Sequence, residues 1–157
     1  MANLGFKMKL TAELVPKTAW NKSLFQLLPR TVWNGIREGH ISTNGEKCQI
    51  CGESEGIMNL HEIWNYDDVN HVQKLDGLIL LCTMCHHIKH IGLALNLIKQ
   101  GKLDDDKLTT HFCRINSCSE KEFLEHVKDS LRIWRERSQY SWKQDFGEYG
   151  KYLSEKA

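Results

Sequence analysis

The sequence has almost no net charge, no long apolar run and no internal repeat. Its 157 residues carry 21 basic and 20 acidic side chains, a formal charge of +1, so no overall field draws the chain onto nucleic acid or an anionic membrane. Its longest strongly apolar stretch, residues 78–82, is far shorter than the roughly 20 residues that a bilayer span needs. We therefore expect no membrane partner, and any other partner must be bound by a local patch.

The composition also excludes several classes of protein. With 41% hydrophobic and 26% charged residues and no low-complexity tract, the chain is not wholly disordered, collagen-like or a coiled coil. Its length suits about one domain. Residues 1–7 lack the apolar core of a secretory signal, so we expect a cytoplasmic location, where thiols stay reduced. The six cysteines then need an explanation other than disulfides.

Four of the cysteines form two C-x-x-C pairs. Cys48 and Cys51 make the first pair, Cys82 and Cys85 make the second, and 30 residues separate them. Each pair lets two sulfurs converge on one ion, and two pairs complete a tetrahedral Zn²⁺ site. The alternatives are reduced thiols in an ordinary core or a thioredoxin-like redox pair, but two pairs at compatible spacing favour zinc. The spacing predicts one structural zinc ion.

Five of the eight histidines lie in the same block, residues 48–90. His86 and His90 are four residues apart, so they share one face of a helix, and His61, followed by Glu62, lies on an expected strand. Such a cluster can bind a second, catalytic cation and ionise a water molecule. Two alternatives stay open: His86 or His90 replaces a cysteine as a structural ligand, or these histidines are polar groups covering the hairpin.

Local patterns predict an α+β fold. Helices are expected over residues 16–28, 29–38, 83–101 and 119–138, and strands over residues 57–66 and 72–81. Gly77 marks either a bulge or a close backbone approach. Residues 104–106 are expected to be a solvated turn, and the tail from residue 142 shows no clear element. We divide the chain into an N-terminal helical arm (1–44), a zinc-binding core (45–101) and a C-terminal helical region (102–157).

Charge is unevenly distributed along the chain. Residues 48–90 contain two basic and six acidic side chains, so a phosphate backbone would have to be held by flanking cations. The candidates are Lys7, Lys9, Lys17, Lys22, Arg30 and Arg37 on one side, and Lys128, Arg132, Arg135 and Arg137 on the other.

The Cys/His block resembles the HNH endonuclease family. The resemblance lies in residues 48–52 (CQICG), 60–64 (LHEIW), 66–68 (YDD) and 77–90 (GLILLCTMCHHIKH). More loosely, Arg137-Ser138 and the Trp142-x-x-Asp145 pattern are similar to the C-terminal region of a bacterial subfamily. The resemblance implies a zinc-stapled ββα-metal core, treble-clef-like, flanked by N- and C-terminal helices.

The implied activity is that of a divalent-metal DNA endonuclease. Its substrate would be DNA, expected to be double-stranded, cut to 5′-phosphate and 3′-hydroxyl ends, in a setting such as restriction or anti-phage defence. Zn²⁺ would be structural on the four cysteines. Mg²⁺, Mn²⁺ or another divalent cation would be catalytic on His61, His86 and His90. The catalytic residues would be His61, Glu62 and His86.

Two departures from the family pattern leave alternatives open. The family places a metal ligand directly before a general-base histidine, and an asparagine where this chain has Gly77. Either His61 is the base and Leu60 takes the ligand position, or His61 is the ligand and Glu62 is the base; the flanking apolar residues favour the second register. The competing functions are a non-catalytic zinc module that binds nucleic acid or protein, and a nuclease subunit active only with a protein partner.

Overall fold

The computed structural model describes residues 8–154. Residues 1–7 and 155–157 lie outside this range. Two expectations concern residues 1–7 and so lie outside the described residues: the absence of a secretory signal and the phosphate contact of Lys7. Within residues 8–154, no helix combines the length and the apolar character that crossing a membrane would require.

The chain folds as an α+β protein with one small sheet. A 3-10 helix at Lys17–Ala19 comes first, and a second one at Gly147–Tyr149 precedes the last helix. The other elements, in chain order, are α1 (Leu24–Leu27), α2 (Arg30–Asn44), β1 (Met58–Asp67), β2 (Val72–Cys82), α3 (Thr83–Lys89), α4 (Ile91–Lys99), α5 (Asp105–Asn116), α6 (Glu120–Arg137), β3 (Lys143–Asp145) and α7 (Gly150–Ser154).

The predicted hairpin is confirmed almost to the residue. β1 and β2 pair in antiparallel register from Met58 opposite Cys82 to Asp67 opposite Val72. The register shifts where Gly77 faces Ile63, and an added Cβ at Gly77 would meet no atom within 4 Å. Gly77 therefore lies next to a bulge, which is one of its two expected roles, and it makes no close backbone approach.

Three predicted helices are wrong in extent. The helix expected over 83–101 breaks at His90, whose backbone (φ −101°, ψ 55°) is not helical, and it becomes α3 and α4. The helix expected over 16–28 is replaced by a 3-10 turn and the short α1. Leu28 is extended (ψ 150°) because the following proline disfavours helical geometry at the residue before it. The helix expected over 29–38 runs on to Asn44.

The C-terminal third contains elements that the patterns did not predict. Asp104 does not lie in a solvated turn; its carboxylate accepts hydrogen bonds from the backbone of Asp106 and Lys107 and caps α5. The helix expected over 119–138 is α6, and Ser119 caps it by accepting a bond from the backbone of Glu122. The tail forms β3, which pairs in parallel with the start of β2.

Most buried residues belong to one large core. Leu10, Cys48 and Phe112, from the three segments of the sequence, are each at most 1% exposed and lie in the same cluster. A second cluster centres on Leu24, Trp33 and Leu75 under α1 and α2. The hairpin lies between these clusters, so both faces of β1 are covered and the side chains at its centre are buried.

Candidate metal centre and the adjoining cavity

The four paired cysteines meet at the junction of the turn after α2 with the start of α3. Gly52 takes a positive φ of 82°, which lets the backbone turn after Cys51, and Cys82 is the residue that caps α3. All four sulfurs lie within 4.8 Å of one another, and those of Cys51 and Cys82 are 3.6 Å apart. Sulfurs bound at 2.3 Å to a tetrahedral zinc are about 3.8 Å apart. The cluster is therefore compatible with a structural zinc ion.

The electrostatics of the cluster also suit a cation. Contacts with Cys82 and Cys85 lower the pKa of the Cys48 thiol. The same contact with Cys48 raises the pKa of Cys82 to about 11 and also raises that of Cys85. Adjacent thiols cannot all ionise without a compensating positive charge, and Zn²⁺ binds thiolates. A divalent cation would remove this conflict.

His111 on α5 supports the same cluster and was missed from the sequence. Its Nε2 lies 3.1 Å from Cys85 Sγ, and its Nδ1 lies 3.4 Å from Nη2 of Arg114. Burial lowers the pKa of His111, so the ring is neutral at pH 7. Because arginine can only donate, Nδ1 is the acceptor and Nε2 carries the proton. His111 therefore donates a hydrogen bond to the Cys85 sulfur.

The three histidines predicted to share a cation also come together. His61 on β1 faces α3, and its ring centroid lies 5.5 Å from that of His86 and 5.0 Å from that of His90. One nitrogen from each ring lies within 4.8 Å of the other two. His90 comes directly after the last residue of α3. Because it still lies one helical turn beyond His86, its ring also reaches the cluster. His71 lies apart from this cluster, in the hairpin turn, with φ 55°.

Burial keeps two of these rings uncharged. It lowers the pKa of His86 to about 3, with further lowering by the charges of His90 and His61. It lowers the pKa of His90 to about 4, with further lowering by His61. Metal ions bind neutral imidazole, so at pH 7 these two side chains are in the form that a cation requires. The donor set fits a divalent cation.

The histidine cluster opens into a cavity of about 470 Å³ that also contains Glu62. Glu62 is 8% exposed, and burial raises the pKa of its carboxyl to about 7, although backbone N–H groups of Leu24 and Phe25 partly oppose this. The wall of the cavity also includes Arg30, Asn34 and Arg37 of α2, together with Trp64 and Tyr66 of β1.

Glu13 also lines the cavity, although no sequence pattern indicated it. Its Oε1 accepts a hydrogen bond of 2.8 Å from Nζ of Lys89, and its Oε2 lies 3.9 Å from Nε2 of His61. Burial opposes ionisation, but the contacts with His61 and Lys89 outweigh it and lower the pKa of Glu13 to about 2. Glu13 is therefore anionic at neutral pH.

A larger groove, of about 700 Å³, adjoins this cavity and shares His90, Trp64 and Phe25 with it. Trp20 lines the groove with half of its surface exposed, and its ring stacks on Trp134 with centroids 6.3 Å apart. The indole nitrogens of both tryptophans donate to the carbonyl oxygen of Val15, at 2.8 and 3.0 Å. These bonds hold both rings in fixed orientations.

The C-terminal motif residues make structural contacts. Arg137 donates to both carboxylate oxygens of Asp68 at 2.8 and 2.9 Å, and the Trp142 indole donates to the carbonyl oxygen of Arg137 at 2.8 Å. Asp145 accepts a bond from the backbone of Gly147. The Arg137–Asp68 pair attaches the end of α6 to the turn of the hairpin, and the other two bonds are local.

Comparison of the chain with protein-family models, with curated proteins and with solved structures gives no match.

Proposed function

We propose that the chain is a metal-dependent DNA endonuclease of the HNH type, in which β1, β2 and α3 are the ββα-metal core. The observation that carries the proposal is the set of three histidine nitrogens within 4.8 Å of one another, in a cavity that also holds a buried carboxylate. The cysteine cluster alone would serve a structural zinc module. A metal-dependent hydrolase also needs a cation site that substrate can reach, and the histidine cluster, which opens into a cavity, offers one.

The residues of the cavity divide into a cation site and a base. A divalent cation on His61, His86 and His90 would stabilise the negative charge that develops on the scissile phosphate and the leaving 3′ oxygen. Glu62, with a pKa of about 7, is basic enough to take the proton of an attacking water at neutral pH. This value supports the register in which His61 is a ligand and Glu62 the base. The other register would need the apolar Leu60 as a ligand.

Charge and shape around the cavity suit a nucleic acid. Arg30 and Arg37, two of the predicted phosphate contacts, line the cavity, and guanidinium groups match the geometry of phosphate oxygens. The exposed ring of Trp20 in the adjoining groove offers a surface on which a base can stack. These features support DNA as the substrate, cut to 5′-phosphate and 3′-hydroxyl ends.

A plasmid-cleavage assay tests the proposal. The purified chain, with its zinc content measured, is incubated with supercoiled DNA in Mg²⁺, Mn²⁺ or Ni²⁺. We expect metal-dependent nicking that is abolished in His61→Ala, His86→Ala and His90→Ala, each with zinc content unchanged. His87→Ala is the matched control, because His87 lies on the same helix but outside the cluster. Ligation of the products without prior phosphorylation would identify the 5′-phosphate ends.

Three outcomes would contradict parts of the proposal. Loss of zinc from His90→Ala would make His90 a structural ligand. DNA binding without cleavage in any metal would favour a non-catalytic zinc module. Cleavage that appears only when a cellular protein is added would favour a subunit that needs a partner.

A further inference from the structure

The N-terminal segment before α1 is held against three helices just where it passes the histidine cluster. Asn116 on α5 bonds both to the backbone nitrogen of Leu10 at 3.0 Å and to its carbonyl oxygen at 2.8 Å. His126 on α6 accepts a hydrogen bond of 2.9 Å from the backbone nitrogen of Ala12. The backbone of the next residue, Glu13, therefore has a fixed position although it lies in no helix or strand.

The side chain of Glu13 is fixed by Lys89, at the end of α3. The backbone nitrogen of Glu13 donates to the carbonyl oxygen of Lys89 at 3.0 Å, and Nζ of Lys89 donates to Glu13 Oε1 at 2.8 Å and to Thr11 at 3.3 Å. Lys89 is 6% exposed, and a buried ammonium group is stable only when it is paired. Among the described residues, Glu13 is the carboxylate in ion-pair distance of Lys89.

With Oε1 committed to Lys89, Oε2 faces the ring of His61 at 3.9 Å from Nε2. At this distance the contact is electrostatic and not a hydrogen bond. A carboxylate beside the ring of a metal-binding histidine favours one orientation of the ring and makes it a more basic ligand. Glu13 is not one of the three residues whose ligand atoms cluster, so it would act through His61 and not on the cation directly.

We infer that Glu13 is a positioning residue of the cation site: its carboxylate, anchored by Lys89, holds the His61 imidazole in the orientation that converges with His86 and His90. This inference rests on the proposed function, because it presupposes a cation on the three histidines. The N-terminal arm would then contribute to the metal site without supplying a ligand.

Calorimetric titration of Mn²⁺ into the zinc-loaded chain tests the inference without relying on cleavage. Loss of such a supporting carboxylate weakens metal affinity by about 10- to 100-fold in proteins, and we expect this loss in Glu13→Gln with zinc content unchanged. Glu38→Gln, an exposed change on α2, is the matched control and should bind Mn²⁺ like the unmodified chain.

A double-mutant cycle separates positioning from a general structural effect. If Glu13 acts through His61, Glu13→Gln should cause no further loss of affinity in a His61→Ala background and its full loss in a His90→Ala background. An equal loss in both backgrounds would overturn the inference. If Glu13→Gln fails to fold because Lys89 is left unpaired, the same cycle is measured with Lys89→Met added, which removes the buried charge.

Failure of the inference and failure of the proposed function give different results. Unchanged Mn²⁺ affinity in Glu13→Gln, with weakened binding in His61→Ala, would overturn the role of Glu13 alone. Unchanged affinity in His61→Ala, His86→Ala and His90→Ala would overturn the cation site itself and the inference with it.

Discussion

At the scale of single residues, burial has opposite effects on the two kinds of side chain in the cavity. It raises the pKa of Glu62 to about 7 and lowers the pKa of His86 to about 3 and that of His90 to about 4. Both shifts favour the uncharged form. The histidines are thereby free to bind a cation, and the carboxyl group titrates near neutral pH, where a general base is most effective.

The titration of Glu62 predicts the pH dependence of cleavage. As the proposed base, Glu62 would act in its ionised form, and its pKa is about 7. The rate should therefore rise through pH 7 and fall about tenfold per unit well below it. Glu62→Gln should lose about 10²- to 10⁴-fold in turnover while binding Mn²⁺ normally. Rates of plasmid nicking between pH 5.5 and 8.5 measure this, with the exposed Glu55→Gln as control. A profile that is flat in this range would exclude Glu62 as the base.

The same residue predicts a change in stability of known sign. A carboxyl group whose pKa is higher in the folded state stabilises the protein at low pH, and this contribution is lost as pH rises from about 4.5 to 7. Glu62→Gln removes the ionisation, so it should raise the free energy of unfolding at pH 8 by about 2 to 3 kcal/mol. Urea denaturation at pH 5 and pH 8 measures the difference, which should fall below about 1 kcal/mol at the lower pH.

His111 predicts the rate at which zinc leaves the cysteine cluster. Its hydrogen bond to Cys85 Sγ stabilises the thiolate form, and loss of such a bond weakens metal retention by about tenfold or more. His111→Ala should therefore release zinc faster to a chelator, followed with a colorimetric indicator. Lys107→Ala, an exposed change one turn earlier on α5, is the control. Equal release rates in the two variants would mean that the bond to His111 contributes nothing to zinc retention.

At the scale of elements, the N-terminal segment depends on one buried side chain. Asn116, 3% exposed, makes three hydrogen bonds to the backbone of Lys9 and Leu10. Asn116→Ala leaves these backbone groups without partners, and each buried unpaired group costs about 1 to 3 kcal/mol. We expect at least 3 kcal/mol of destabilisation in urea, against less than about 0.5 kcal/mol for the exposed Asn65→Ala. If Asn116→Ala also lowered the free energy of unfolding by less than about 0.5 kcal/mol, water would have to replace the lost hydrogen bonds.

The elements that the sequence predicted correctly are those encoded by local patterns. The hairpin follows from two strand-like runs on either side of a turn, and α6 follows from the Ser119 cap. The two C-x-x-C pairs and the histidine spacing indicated which donors would meet. The break at His90 could not be predicted, because apolar residues recur at helical spacing across it from Ile88 to Ile91. α4 packs on the same core as α3, so the period continues although the helix does not.

The remaining features depend on contacts between distant parts of the chain. Helix α5 was not predicted because Asp104 and the two aspartates after it are typical of both a solvated turn and a helix start. The available signal for a helix was the pair Leu108 and Phe112, which are four residues apart and buried. Glu13 and His111 reach the histidine cluster and the cysteine cluster from outside the residues 45–101 that the motifs define. No spacing rule relates them to those sites.

At the scale of the whole molecule, the cysteine cluster joins the stretch between α2 and β1 to the start of α3. The turn-rich stretch between α2 and β1 has no strand or helix of its own. Its described attachments to the hairpin include two hydrogen bonds between Gln49 and Leu80, at 2.9 and 2.7 Å. Cys48, Cys82 and Cys85 are all part of the large hydrophobic cluster. A bound zinc ion would therefore tie this stretch to the core.

Removal of zinc is accordingly expected to unfold the protein and not merely to inactivate it. The free energy of structural zinc binding, of the order of 10 kcal/mol or more in small zinc domains, is available as folding free energy, which is comparable with the whole stability of a domain of this size. Cys82→Ala should lose zinc and cooperative thermal unfolding together, whereas Cys118→Ser, outside the cluster, should retain both. Because protons compete with zinc for the thiolates, the zinc-dependent part of the stability should fall as pH is lowered. Elemental analysis that finds no zinc in a folded, cooperatively melting sample would show instead that the packing around Cys48 and Cys85 stabilises the core without a metal.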